Sequence, residues 1–175
     1  MKAHEKISCI LDRRSCRDFL PAPLREGDLE LLLEAARWAP SAGNVQPWFF
    51  CVVRQRNLKL KLAAAALGQD FLAGAAVVIV VCANPEESAC SYGERGRTLY
   101  CLQDTAAACE NLLIAATALG YGSCWVGAFD ERAVTRLLEI PGHLRPVALI
   151  AVGPGEPVTG FPARKSLARI SRILE

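Results

Sequence analysis

Histidine is nearly absent: His4 and His143 are the only two imidazoles in 175 residues. A Ser-His-Asp arrangement would have to use one of them, and neither Ser15 nor Ser41 has a histidine close in sequence. The eight cysteines include no CxxC pair, which, with so little histidine, argues against a zinc site. No apolar run approaches ~18 residues, so nothing reads as a membrane span. The N-terminal stretch MKAHEKISCILDRRS lacks an apolar h-region and a small-residue cleavage site, so it does not read as a signal peptide. A net charge of +2 lacks the basic excess of a nucleic-acid binder. Two glycine-rich stretches also fail as phosphate loops. In LGYGSCWVG the spacing is wrong and the glycines precede a strand instead of following one. In GEPVTGF, Phe161 stands where the lysine must be.

What is present is apolar and small. Hydrophobic residues make up 52% and aromatics only 7%, so the apolar mass is mostly Ala, Leu and Val. That share exceeds the usual ~45–50%, which suggests an interface as well as a core. Cys51, Cys82, Cys109 and Cys124 sit within apolar runs, as reduced core thiols do, which points to the cytosol. The length suits one domain over 1–175, with 153–175 as an extended C-terminal arm carrying Pro154, Pro157 and Pro162 and then a basic cluster.

The spacing of Ile7, Ile10 and Leu11 predicts a helix over 3–12. Asp28 reads as the N-cap of a helix through Trp38, with Leu29, Leu32, Leu33 and Ala36 inside. Residues 48–54 read as a strand, Asn57 as the cap of a helix over 58–67, and AAVVIVVCA as the clearest buried strand. Polar residues 84–97 read as an irregular surface loop. A long Ala/Leu-rich helix should run from Thr98 to Leu119, stopped by Gly120 and buried on most faces. Then follow the strand SCWVG, a short helix capped by Asp130 and ending at Leu138, and the strand PVALIAVG. Helices and strands alternate, so the class is α/β with helices on both faces of a sheet.

Three segments could carry chemistry, and each also has a purely structural reading. Arg13, Arg14 and Arg17 surround Ser15, a set that could grip a phosphate or simply complement a helix end. The connection APSAGNVQPW holds two prolines, Ser41, Gly43, Asn44 and Gln46. It is either a helix stop followed by a turn, or a backbone surface laid against a flat ring with the Asn44 amide at its edge. Gly127 in WVGAFD ends a strand where α/β proteins commonly bind ligands, or is an ordinary strand-to-helix turn.

In chain order RRSCRDF, AARWAPSAGNVQPWFFCVV, QDTAAACENLLIAATALGYGSCWVGAFDE and IPGHLRPVALIAVG resemble the nitroreductase family of flavoproteins over nearly the whole chain. PSxxNxQPW is the most specific piece. The resemblance implies an α+β sandwich, a central mixed but mainly antiparallel sheet flanked by helices, and an intertwined homodimer with two FMN sites at its interface. It implies that Arg13, Arg14, Ser15 and Arg17 bind the phosphate and ribityl side of FMN. Pro40, Ser41, Ala42 and Asn44 would reach the flavin from the partner subunit. Gly127 and Ala128 would present backbone N–H groups near N5 and O4, Gln69 would touch the pyrimidine edge, and Arg164 or Lys165 would close the phosphate site. Cys16 departs from a position more often aliphatic and reads as buried filler.

The implied activity is transfer of a hydride from NADH or NADPH through FMN to a nitroaromatic, a quinone or another small acceptor. Residues 84–97 would govern acceptor choice. Such an enzyme needs few acid/base side chains, because the cofactor carries the chemistry. Reductive dehalogenation, flavin breakdown, and a flavin store or sensor without turnover are the alternatives in the same fold.

Overall fold

The structure, a computed structural model, describes residues 7–156, 158, 160 and 162–174. Four strands, β1 (Trp48–Val53), β2 (Val77–Ala83), β3 (Gly122–Val126) and β4 (Arg145–Gly153), form one sheet in the order β1-β2-β4-β3. Every neighbouring pair is antiparallel. The parallel component of the expected mixed sheet is a single bridge, Ser15 to Ser123, beside β3. Alternating helices and strands often mean parallel βαβ units. Here the Arg56–Ala65 and Phe71–Gly74 helices begin and end at one end of the sheet, because Val53 and Val78 are partners. The connection therefore acts as an enlarged hairpin.

β2 is buried at every position, so its run is uninterruptedly apolar. Val77, Ile79 and Val81 face one layer, with Leu32 and Ala36 of the Asp28–Arg37 helix and Ala108, Cys109 and Leu112 of the Cys101–Ala118 helix. Val78, Val80 and Cys82 face the other, with Leu62, Ala63, Leu72 and Val134. β4 alternates likewise, Ala148, Ile150 and Val152 against Leu149 and Ala151. A register shift between Val81 and Cys82 coincides with Pro146, which has no N–H for the ladder.

Several boundaries differ from the sequence reading for local reasons. Gly27, left-handed at φ 80, is the N-cap of the Asp28–Arg37 helix. Asp28 lies inside the helix, and its Oδ2 accepts from the Tyr121 hydroxyl at 2.6 Å and from Arg25 Nε at 2.7 Å. The next helix starts at Arg56 with Gln55 as N-cap, one residue before Asn57. Asp130 caps as expected, accepting from Ala133 N at 3.0 Å. Gly120, at φ 80, follows the end of the long helix and donates to Thr117 O at 3.0 Å. Of the expected 3–12 helix, Ser8–Asp12 is helical, while 3–6, including His4, lie outside the described residues, as do Pro157 and Phe161 of the arm.

The largest correction concerns residues 84–97. Instead of an irregular loop they form the helix Pro85–Arg95, which runs into a wider turn at Gly96–Tyr100 and then into Cys101–Ala118. Asn84 Oδ1 accepts from Glu87 N at 3.2 Å, and the Glu87 carboxylate accepts from Asn84 Nδ2 at 3.0 Å. This reciprocal cap, with Pro85 in the first turn, was readable as N-P-E-E. Arg97 pairs with Glu86 and, at 3.5 Å, with Glu94, so the polarity of the segment belongs to a solvated helix.

Candidate functional site

The residues singled out from the sequence fall into two groups. The first lies at the β3 edge. Residues 13–17 run extended beside β3, with Cys16 N donating to Ser123 O at 2.8 Å. Cys16 is 2% exposed and packed so closely on Gly122 that a Cβ there would lie 2.7 Å from its Sγ. Burying Cys16 turns Ser15 and Arg17 outward. The Arg17 guanidinium sits 5.8 Å from the centroid of the Phe71 ring. Burial pushes the Cys124 thiol, in the middle of β3, up, and the charges of Arg17 and Arg13 offset part of that rise. Gly127 and Ala128 follow the last β3–β4 pair, Val126 with Leu149. Gln69 Nε2 donates to Ala128 O at 3.2 Å and to Ala66 O at 2.9 Å, tying its segment to the same turn. The structure thus sets Ser15 and Arg17 along β3, with Gln69 held against Ala128 in the turn that follows the strand.

Arg14 is directed elsewhere. Its Nη1 donates to Leu11 O at 2.7 Å and Arg13 O at 2.8 Å, and its Nε to Gly160 O at 3.2 Å, which ties the C-terminal arm to this segment. Arg164 donates to Pro162 O at 3.3 Å, and Lys165 is exposed. Neither is joined to residues 13–17 by a hydrogen bond or ion pair among the described residues.

The second group is the connection 40–46. Ala42–Asn44 form one tight turn in which Gly43 (φ 56) and Asn44 (φ 57) are left-handed, and Gln46 (φ 57) follows. Most of its polar backbone is consumed internally: Asn44 N donates to Ser41 O at 3.0 Å, Val45 N to Ala42 O at 3.1 Å, and Gln46 N to Ser41 Oγ at 3.0 Å. Two residues the sequence reading did not single out brace the turn. Asp104, alone as a carboxylate in the apolar first half of the long helix, accepts from Ala42 N at 3.1 Å. Tyr92 places its hydroxyl against Gly43, leaving no room for a Cβ there. The lone charge in CLQDTAAAC was the sequence signal for Asp104. Tyr92 has none, since the polarity of its segment reads as a loop.

These two groups are far apart within one chain. The connection leads into Trp48, which aligns through Ala83 with Arg145, the first residue of β4. Gly127 leaves the opposite edge, after the Val126–Leu149 pair. Three strand spacings separate the edges, about 14 Å, and four residues of β4 add about 13 Å along the strands. A cavity of about 520 Å³ opens among Phe19, Pro23, Lys59, Asp70 and Ala75, and it is lined by none of Arg13, Ser15, Arg17, Gly127 or Asn44. Lys59 is buried there, donating to Ala75 O and Ala76 O, and burial pushes its ammonium down. Among the described residues no group of His, Cys, Asp and Glu side chains could hold a metal ion, and no helix is long and apolar enough to cross a membrane.

Comparison with known proteins adds to this geometry. The profile of the Nitroreductase family matches residues 10–69 and 63–154. A protein of Archaeoglobus fulgidus, named for NADH dehydrogenase or NAD(P)H nitroreductase activity, is 39% identical over 153 residues, covering 85% of this chain and 84% of that one. An FMN reductase (NADPH) of Bacillus subtilis is 27% identical over 171 residues, 90% of this chain and 69% of that one. The crystal structure of a nitroreductase family protein from Clostridium novyi NT superposes with a TM-score of 0.79 at 34% identity, covering 89% of this chain and 86% of that one.

Proposed function

Because this chain belongs to the nitroreductase family, we propose that it is an NAD(P)H oxidoreductase that holds FMN between two subunits and reduces a small acceptor such as a nitroaromatic or a quinone. The observation that carries the reading is the distance between the two groups. One chain has cations at its β3 edge and a shaped, neutral loop at the far corner of the sheet, so one flavin can use both only if the loop comes from a second subunit. Exposed apolar side chains supply material for that pairing: Leu31, Trp38 and Phe49 around the loop, and Leu167, Ile170, Ile173 and Leu174 on the arm.

The residues present fit FMN. Arg13 and Arg17 supply guanidinium forks and Ser15 a hydroxyl for the terminal phosphate. Gly127 allows the backbone to approach a ring closely, and Ala128 is fixed by Gln69. Asn44 offers the loop's exposed amide. When bound, FMN supplies the two-electron carrier between NAD(P)H and the acceptor. Around it the chain would neutralise the phosphate, orient the ring by N–H groups after β3, and cover one side with the partner's Pro40–Asn44. No adenosine-binding fingerprint accompanies the phosphate cluster, which favours FMN over FAD. The free thiols of all eight cysteines suit a cytosolic enzyme.

The test is the visible spectrum of the purified protein, chromatography of the acid-released cofactor, and anaerobic addition of NADH and NADPH. The expected result is FMN, bleached by at least one donor. FAD, no flavin after supplementation, or a yellow protein indifferent to both donors would overturn the reading, the last in favour of a store or sensor. Acceptor choice we assign to the exposed face of the Pro85–Arg95 helix. Cys90→Arg should change the ratio of rates with nitroaromatic and quinone acceptors at unchanged flavin occupancy; an unchanged ratio would remove the assignment.

A further inference from the structure

Resting on the flavin reading above, we propose that Asp104 is a positioning residue: it anchors the Ser41–Asn44 turn in the shape that the partner subunit's flavin requires. Asp104 is only 6% exposed, in a helix whose buried neighbours are Cys101, Thr105 and Ala108. Its Oδ1 accepts from Ala42 N at 3.1 Å. Its Oδ2 is buried and has no hydrogen-bond partner among the described residues. A buried carboxylate with one orphaned oxygen is an expensive way to satisfy a single backbone N–H, and a neutral side chain would do so at lower cost. What a carboxylate adds is a charge-assisted bond, stronger than a neutral one, at a chosen point of the backbone.

That point is the first residue of a turn whose next two residues, Gly43 and Asn44, are left-handed. Gly and Asn tolerate this backbone, and the orientation of the turn on the rest of the chain is set by what holds its ends. Asp104 grips it at Ala42 from the long helix, and Tyr92 closes over Gly43 from the neighbouring helix. With the Ala42 N–H turned inward to Asp104, Ala42 has no backbone donor left for a ligand, and its carbonyl already accepts from Val45 N. The exposed Asn44 amide is then what the loop presents outward, and its direction is set by the anchored turn. This narrows the expectation that Pro40, Ser41, Ala42 and Asn44 all reach the flavin.

The experiment has two arms. In the first, hydrogen exchange of a peptide covering residues 40–46 is measured in flavin-free protein, for the native chain, Asp104→Ala and Asp104→Asn. Asp104→Ala should release the peptide, while Asp104→Asn, which keeps an acceptor oxygen, should retain most of its protection. In the second, FMN affinity is measured by fluorescence quenching. Losing a charge-assisted hydrogen bond should weaken binding ~10–100-fold in Asp104→Ala, with Asp104→Asn falling between it and the native chain.

Ala42→Pro deletes the donor instead and guards against a misfolded Asp104→Ala. The double variant should be no worse than either single one, because one bond cannot be lost twice. Unchanged exchange in Asp104→Ala and in Ala42→Pro, or FMN binding as tight as in the native chain, would overturn the inference. A native chain that binds no FMN at all would sink the flavin reading, and the exchange arm would still decide whether Asp104 holds the turn.

Discussion

At the β3 edge the chain offers charge on an extended backbone, with Arg17 exposed alongside β3 and Gln69 fixing the turn that follows it. At the 40–46 loop it offers shape without charge: a left-handed turn, internally hydrogen-bonded, braced by Asp104 and Tyr92. On the proposed reading the contrast is functional. A phosphate is gripped by long cations that adapt to it, so the backbone beneath them can be plain strand. A ring edge is recognised by the placement of one amide, so the backbone beneath Asn44 must be over-determined. The two corners should therefore fail differently when altered.

The largest effect is expected at the charged corner. On the proposed reading, replacing Arg13 and Arg17 together with Ala removes two charge-assisted phosphate contacts worth ~1.5–3 kcal/mol each, and the protein should purify colourless, melting where the flavin-free native chain melts. Flavin content equal to the native protein would erase the distinction between the corners.

A smaller effect is expected at the shaped corner. Gly43→Ala puts a side chain at φ 56 against the Tyr92 hydroxyl, a strain of ~1–3 kcal/mol. It should weaken FMN binding while the phosphate grip persists. Removing the hydroxyl as well, in Gly43→Ala/Tyr92→Phe, should recover part of the loss. No recovery would mean that Tyr92 does not brace the turn.

The smallest effect separates two buried aspartates by sign. The Tyr121 hydroxyl, and then Arg25, hold the Asp28 carboxyl below its usual range. Its folded pKa lies below the unfolded value of ~3.9, so its contribution is present above that value and is lost as pH falls through the folded pKa. Burial pushes Asp104 up, against the opposing effect of the Ala42 N–H. Its penalty is therefore fully present above the raised folded pKa and shrinks to nothing as pH falls from there to the unfolded value of ~3.9. Asp28→Asn should lower the melting temperature at pH 7, whereas flavin-free Asp104→Asn should melt no lower than the native chain there. Chemical denaturation across pH reads both signs, and two aspartates of like sign would contradict the assignment.

Most of the frame was legible in the sequence because burial on both faces writes itself as an unbroken β-branched run, as in β2, and because Asp130 and Gly120 act locally. The Pro85–Arg95 helix was hidden because its stabilising contacts are polar and solvated, so the residues that make the helix also make it look like a loop. Gly27 displaced Asp28 as cap because Tyr121, from the far end of the long helix, captures the Asp28 carboxylate. That is a contact between residues 93 apart, which no local pattern encodes. Arg14 reads like its neighbours in RRSCR, yet strand alternation turns it away from them. The charged corner was legible as a cluster; the bracing of the loop was not, since Asp104 and Tyr92 meet it only in three dimensions.

The central claim is that one flavin uses the charged corner of one subunit and the shaped corner of another. It is tested most directly by co-expressing, under two affinity tags, a subunit carrying Arg13→Ala/Arg17→Ala and a subunit carrying Ser41→Ala/Asn44→Ala, and measuring the flavin content of the purified mixed dimer. In such a dimer one site receives both altered corners and the other receives both native ones. The account predicts a single FMN per mixed dimer, bleachable by NAD(P)H, where either parent dimer holds little. A mixed dimer without flavin, a loop-altered parent that holds FMN as well as the native protein, or a native protein that binds FMN as a monomer would contradict it.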